Sequence, residues 1–289
     1  MADAERIAII GLGLIGGSLA LALRRARPLV RILGVDPDPR AREQALAEKA
    51  IDAGSSLENA ALDACGLVVL ATPARELLAL LPQIAARMRS GAVLTDVCGA
   101  KELVCAAGAR QQRVVFVGGH PMAGNEYRGF SAASPTLFSG ATVALCPPVG
   151  KKDAGTRNAA TERVRALWLD AGAEKILEIA PDEHDRAVTF ASHLPYLAAA
   201  SVVDALTGSG EASGLARELA AGGFRDTTRL AGDGTVGGAA SLNRFVPAAA
   251  RALAEHLRAL ADALENDPAA ALARLEALAD ERRRMRMQR

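Results

Sequence analysis

Short apolar, β-branched runs alternate with longer segments of helical spacing through the first half of the chain. Ile7–Ile10, Arg31–Val35, Leu67–Ala71, Ala92–Asp96 and Val114–Gly118 read as strands buried on both faces. Between them, Ser18–Arg25, Arg40–Ala50, Arg75–Arg89 and Lys101–Arg110 carry apolar positions at helical spacing. That alternation predicts a doubly wound α/β domain with a parallel sheet covered by helices on both faces. Gly140–Cys146 and Lys175–Ile179 add two strand candidates around a helix at Ala160–Ala171. After about Pro181 the strand-like runs stop. His184–Leu206, Ala240–Glu265 and Pro268–Arg284 predict long Ala/Leu-rich helices, punctuated by the glycines of Gly208–Gly210 and Ala221–Gly238. The expected organisation is residues 1–180 as the sheet domain and residues 181–289 as an all-α domain.

The first strand runs into Gly11-Leu-Gly13-Leu14-Ile15-Gly16 and then into the first helix, the spacing of a dinucleotide loop. Gly11 permits the tight turn, Gly13 lets backbone approach a pyrophosphate, and Gly16 allows close helix–strand packing. Amides of the first helical turn, at Leu14 and Ile15, supply donors for the phosphates. Asp36 closes the second strand 20 residues beyond Gly16, where a carboxylate accepts from both ribose hydroxyls. A carboxylate there also repels a 2′-phosphate, so a Rossmann-like domain binding NAD is expected over one binding NADP. Arg40, in the same loop, is the residue that could serve a phosphate instead. Thr72-Pro73 ends the third predicted strand at the carboxyl edge of the sheet, reading either as part of the nucleotide site or as a plain start to the next helix.

Composition and charge narrow the partners. With 34 basic and 33 acidic residues the net charge is +1, which removes the electrostatic warrant for nucleic acid or a membrane surface. Aromatic residues are only 3% of the chain, too few for base-stacking platforms. Arg282, Arg283, Arg284, Arg286 and Arg289 form a local basic tail, read as a solvated helix end. Cys65, Cys98, Cys105 and Cys146 lack metal-like spacing, so reduced thiols and no metal are expected. The N-terminal Met-Ala-Asp-Ala-Glu-Arg has no secretory-leader pattern, and no stretch reads as a membrane span, so a cytoplasmic protein is expected.

Past the fifth predicted strand stands Gly118-Gly-His120-Pro-Met-Ala-Gly-Asn-Glu126. A histidine at the carboxyl end of a parallel strand, flanked by glycines and a proline, faces the nucleotide crevice. Its imidazole, with an ordinary pKa of ~6.5, suits it to accept a hydroxyl proton as hydride leaves.

Several separated segments together resemble the prephenate/arogenate dehydrogenase family. They are Ile9–Ser18, Thr95-Asp-Val-Cys-Gly-Ala-Lys101, His120-Pro-Met-Ala-Gly124 with Glu126, Ser192-His-Leu-Pro195, and Gly222-Gly-Phe-Arg-Asp-Thr-Thr-Arg229. The resemblance implies an NAD-dependent oxidative decarboxylation of prephenate to 4-hydroxyphenylpyruvate, of arogenate to tyrosine, or of both, in tyrosine biosynthesis. It makes His120 the catalytic base and Arg229 the substrate-binding arginine, whose guanidinium fork suits a carboxylate. It places His193 near the substrate side chain and Glu126 at the cleft mouth, each with a plain alternative as core histidine or loop carboxylate. Asp226, three residues before Arg229, would either orient it by an ion pair along one helical turn or form only a local helix pair. A homodimer through the helical part is also implied. His184 and His256 match no motif and read as surface or packing residues.

One position departs from the family pattern. Where many relatives carry a serine contacting the catalytic histidine or the substrate hydroxyl, this chain has Gly99. A β-hydroxyacid-type dehydrogenase is the alternative enzyme, but the glycine-rich catalytic-lysine segment of that class is missing. A non-catalytic NAD-binding regulator would need a nucleic-acid-binding face that the charge balance does not offer.

Overall fold

A computed structural model describes residues 5–150, 152–210 and 212–285. Met1–Ala4 at the expected leader-free terminus, and Arg286 and Arg289 of the basic tail, lie outside the described residues. The first half alternates β1 (Arg6–Ile10), α1 (Leu14–Ala26), β2 (Arg31–Val35), α2 (Pro39–Ala47), β3 (Ala53–Ser55), β4 (Leu67–Leu70), α3 (Ala74–Arg87), β5 (Val93–Asp96), α4 (Glu102–Ala109) and β6 (Val115–Pro121). β7 (Thr142–Cys146), α5 (Ala154–Asp170) and β8 (Lys175–Glu178) complete the sheet. There follow α6 (Pro181–Val188), α7 (Leu194–Thr207), α8 (Ala212–Leu219), α9 (Gly222–Thr228), α10 (Val236–Ala240), α11 (Val246–Asn266) and α12 (Pro268–Arg284).

The eight strands lie in the order β3-β2-β1-β4-β5-β6-β7-β8. The order reverses between β1 and β4, which creates the crevice at the carboxyl edge where such folds hold ligands. Alternate residues of β1 feed two cores: Ile7 and Ile9 pack with Leu19, Leu23, Leu167 and Trp168, while Ala8 and Ile10 pack with Leu77, Leu81 and Leu94. The sequence pattern is thus the pattern of a sheet covered twice.

Two features of the sheet depart from expectation. β3, Ala-Gly-Ser, is a short edge strand without the β-branched residues that mark strands in a sequence. β7 pairs antiparallel with β6 although every other pair is parallel, with Gly118 opposite Cys146 and His120 opposite Ala144. The sheet is therefore mixed at this edge.

The helical half is also more broken than its apolar spacing suggests. His184–Leu206, expected as one helix, is interrupted by a π-helical turn at Thr189–His193. Pro195 in the first turn of α7 has no N–H to continue the ladder, which accounts for the wider turn before it. The expected helix over Ala240–Glu265 is α10 and α11 with a turn between them. By contacts within the chain, residues up to Arg244 form one compact unit and those from Phe245 onward a second. In the second unit Asp267 caps α12 by accepting from the Ala270 N–H at 3.0 Å, and Leu257, Leu264, Leu272, Leu275 and Leu278 are exposed. No described helix is long and apolar enough to cross a membrane.

Candidate active site

The glycine loop turns at the end of β1. Gly11 has a φ of +95°, and a Cβ on it would collide with the Ala71 carbonyl at the end of β4. A Cβ on Gly16 would strike the Gly11 carbonyl, so this glycine allows α1 to start against the strand. Gly13 is different: a Cβ there would meet nothing within 4 Å, so its backbone is open to a ligand. The first bond of α1 runs from the Gly17 N–H to the Gly13 carbonyl at 2.8 Å, and Gly13 provides no side-chain cap. The amides of Leu14, Ile15 and Gly16 are thus the free donors of a helix N-terminus.

Asp36 stands beside this loop. Its Oδ2 accepts from the Leu12 N–H at 2.7 Å and its Oδ1 from the Asp38 N–H at 2.9 Å, which fixes the carboxylate in place. A cavity of about 320 Å³ opens between Leu12, Gly13, Asp36, Arg40 and Phe130. Across the switch point, Thr72 Oγ1 is buried without a hydrogen-bond partner, next to the backbone that Gly11 approaches. Pro73 is exposed and starts α3. A buried hydroxyl left unpaired at the edge of an anion-ready loop is what a polar ligand would satisfy.

His120 lies in the last turn of the ladder, half-buried, near the end of β6. Its Nδ1 is 2.9 Å from Nε2 of His184 on α6. Nδ1 of His184 in turn lies 2.8 Å from Oδ1 of Asp185. Asp185 also accepts from the Lys101 N–H at 2.7 Å and the Glu102 N–H at 3.0 Å, at the start of α4. Burial alone would push the Asp185 carboxyl up, but these bonds from His184 and the two amides hold it below its ordinary value. Burial, followed by the neighbouring His184, Lys101 and His193, holds the His120 pKa well below the ordinary imidazole value. The ring is therefore a neutral base at neutral pH.

A buried ion pair lies behind this histidine. Lys101 and Asp96 are both fully buried and bonded to each other. Lys101 Nζ donates to the Gly119 carbonyl at 2.7 Å, and Asp96 accepts from the N–H groups of Cys98 at 2.8 Å and Gly119 at 3.1 Å. Burial would lower the Lys101 pKa, but the Asp96 charge overrides it and raises it. The amine that a β-hydroxyacid-type enzyme would need in its crevice is thus locked beneath the sheet edge. Gly99 lies over His120: a Cβ there would be 3.4 Å from Nε2 and 3.1 Å from the Ala239 Cβ. Ala239 fills part of the room a side chain at 99 would take. Cys98 Sγ accepts from the Ala100 N–H at 3.5 Å, and burial raises its pKa to about 11.

The remaining sequence-derived candidates separate. Arg229 is exposed and begins a 3₁₀ turn after α9, with Nη1 3.9 Å from Oε2 of Glu126. The structure therefore brings Arg229 and Glu126 together. The pair expected between Arg229 and Asp226 is not formed: Asp226 lies in α9, Arg229 begins the tighter turn, and among the described residues Asp226 has no ion pair. His193 is buried, the placement its core alternative described. It is 1% exposed, its Nδ1 accepts from Asn243 at 3.1 Å, and burial pushes its pKa down to about 4. His256 is exposed on α11, as expected of a surface residue. His184 takes the packing alternative: it is 4% exposed and bonded to His120.

Among the described residues no group of three or more His, Cys, Asp or Glu side chains is arranged to hold a metal ion. A second cavity, about 650 Å³, lies at the opposite end of β6, lined by Val115, Phe116, Arg110, Val149, Cys105 and Cys146, and includes neither His120 nor the glycine loop.

A doubly wound sheet with an open glycine loop at its switch point and a histidine on its carboxyl edge defines the dinucleotide-binding class of this fold. Within that class, the profile described as prephenate dehydrogenase, nucleotide-binding domain, matches residues 19–177, and that of the prephenate dehydrogenase dimerization domain matches residues 180–274. The chain belongs to the prephenate dehydrogenase family. It is 36% identical over 230 residues to prephenate dehydrogenase of Bacillus subtilis (strain 168), covering 78% of this chain and 60% of that protein. The match thus spans about three-fifths of that relative's length. The structure is similar to prephenate dehydrogenase from A. aeolicus in complex with hydroxyphenyl propionate and NAD+, at 27% identity and a TM-score of 0.83, covering 97% of this chain and 98% of that one. It is also similar to Synechocystis arogenate dehydrogenase, at 30% identity and a TM-score of 0.75, covering 96% of this chain and 98% of that one.

Proposed function

We propose that this chain is an NAD-dependent dehydrogenase of tyrosine biosynthesis that oxidatively decarboxylates prephenate, arogenate or both. The observation that carries the reading is His120, a half-buried neutral imidazole at the carboxyl edge of the sheet, whose Nε2 lies under the gap left by Gly99. Membership of the family and likeness to a relative described with NAD+ and hydroxyphenyl propionate support it.

Bound NAD would supply the acceptor for hydride from C4 of the substrate ring, with the ring carboxylate lost as carbon dioxide and aromatisation as the driving force. The free amides at Leu14 to Gly16 would hold the pyrophosphate, Asp36 the ribose hydroxyls, and Thr72 Oγ1 would gain a partner. The fixed Asp36 carboxylate disfavours a 2′-phosphate, which supports NAD over NADP. His120 Nε2 would accept the ring hydroxyl proton, so the positive charge builds on an imidazole rather than on a water molecule. Arg229 would take a substrate carboxylate in its guanidinium fork, exchanging its long contact to Glu126 for a shorter one. Asp226 is left without an assigned contact, and His193, held by Asn243, is one of the neighbours that keep the His120 imidazole neutral.

Residues 181–289 are read as the substrate and dimer segment, and the exposed leucines of α11 and α12 support a homodimer. The near-neutral charge supports a cytoplasmic enzyme without nucleic-acid or membrane partners.

A four-way steady-state comparison of prephenate and arogenate with NAD and NADP tests the reading. Formation of reduced cofactor with release of carbon dioxide is expected, and no reduction in any of the four pairings would overturn it. For Arg229→Ala, loss of a charged hydrogen-bonding partner should raise the substrate KM by roughly 10–100-fold with kcat less affected. An unaltered KM would remove Arg229 from the substrate site.

A further inference from the structure

We propose that His184 and Asp185 are positioning residues of this reaction, forming with His120 a proton-ordered chain Asp185–His184–His120 that presents the unprotonated Nε2 of His120 to the substrate. This rests on the dehydrogenase reading of the same site. No sequence motif marks Pro181-Asp-Glu-His-Asp-Arg186 for such a role; it reads as the charged start of a long helix.

The order of protons follows from one end of the chain. The Asp185 carboxylate receives two backbone N–H groups from the start of α4, at 2.7 and 3.0 Å. A carboxylate only accepts, so the 2.8 Å contact requires the proton of neutral His184 to be on Nδ1. Nε2 of His184 then carries a lone pair, and the 2.9 Å contact to His120 requires the His120 proton to be on its Nδ1. That leaves Nε2 of His120 unprotonated, and this is the nitrogen 3.4 Å from the Cβ position of Gly99. The rings meet edge to face, with centroids 5.1 Å apart and planes at 70°.

The helix turn that carries the chain is fixed from behind. The Asp185 carbonyl accepts from Asn243 Nδ2 at 2.7 Å and from Thr189 Oγ1 at 2.6 Å. The charged and titratable groups around His120 are His184 and Asp185 on α6, Lys101 with its partner Asp96, and His193 in the π turn. Among these, Asp185 is the carboxylate in line with the His120–His184 contact. When the substrate hydroxyl proton moves to His120 Nε2, the imidazolium keeps its Nδ1–H on His184, and His184 keeps its Nδ1–H on Asp185. No further proton has to move, and the new charge faces an oriented dipole backed by a carboxylate.

The chain has only four histidines, so ¹⁵N-histidine spectra of the whole protein can be assigned by substitution. Wild type is expected to show both His120 and His184 as neutral Nδ1–H tautomers. His184→Phe removes the acceptor; His120 should then show mixed tautomers, and kcat should fall roughly 10–100-fold while KM stays within about twofold. His184→Gln keeps an acceptor oxygen, and should retain the His120 tautomer and recover most of the turnover. A wild-type His120 carrying its proton on Nε2, or a His184→Phe enzyme with unchanged kcat, would overturn the proposal. If His184→Phe does not fold, the wild-type and His184→Gln spectra decide. If wild type turns over neither substrate, the dehydrogenase reading fails separately, and the tautomer spectra still decide the proton order.

Discussion

Replacing His120 with asparagine is expected to reduce turnover by roughly 10²–10⁴-fold while NAD affinity stays at its wild-type value. Asparagine can still bond to His184, so the local packing persists. What it cannot do is accept a proton and hold it as a stable cation. The nucleotide loop at Gly11–Gly16 lies on a different strand end and is untouched. The pH profile should carry the same signature. His120 is active when neutral, so wild-type kcat falls only as pH drops through its lowered pKa, well below the ordinary imidazole range. Steady-state rates across pH, with a separate NAD titration, check both statements. Turnover unchanged in His120→Asn would remove this residue from the chemistry.

Lys101→Met is expected to lower the unfolding free energy by about 3–5 kcal/mol, because it leaves the Asp96 carboxylate buried without its cation. Both side chains are fully buried, so water does not screen the loss. Against a typical total of about 5–15 kcal/mol, that is a large fraction of the stability. The Gly119 carbonyl loses its Nζ–H donor as well, at the residue just before His120. Urea unfolding measures the effect. A change within about 0.5 kcal/mol, the range of ordinary surface substitutions, would show that the pair contributes nothing net.

Much of this architecture was legible in local pattern. The alternation of Ile7–Ile10, Arg31–Val35 and Leu67–Ala71 with helical spacing follows from burying a sheet on both faces, and Arg31–Val35 is the strand observed. The glycine loop and Asp36 were readable because each glycine answers a backbone requirement. His120 stood out because its glycine and proline neighbours fix a strand end. His184 was illegible for the opposite reason. Its neighbours Glu183, Asp185 and Arg186 look solvated, and its burial comes from α6 meeting α4 and β6, 64 residues away from its partner. The direction of β7 was equally hidden, since apolar content sets burial and leaves strand polarity to the path of the connection. Asp226 and Arg229 misled through spacing alone: three residues make a pair in a continuous α-helix, and here the helix ends between them.

The reversed strand at the edge of the sheet has a consequence for how this chain can change. β5 pairs with β6 only as far as Val117, so Gly118 to Pro121 are held on the other side by β7. Backbone amides in that stretch should exchange with solvent slowly, like those of a sheet interior rather than a loop. The His120 imidazole is mounted on a fixed rail, whereas Glu126 stands on a loop and Arg229 on a 3₁₀ turn near the surface. Substitutions at Glu126 and Arg229 then have room to accumulate without moving the His120 imidazole.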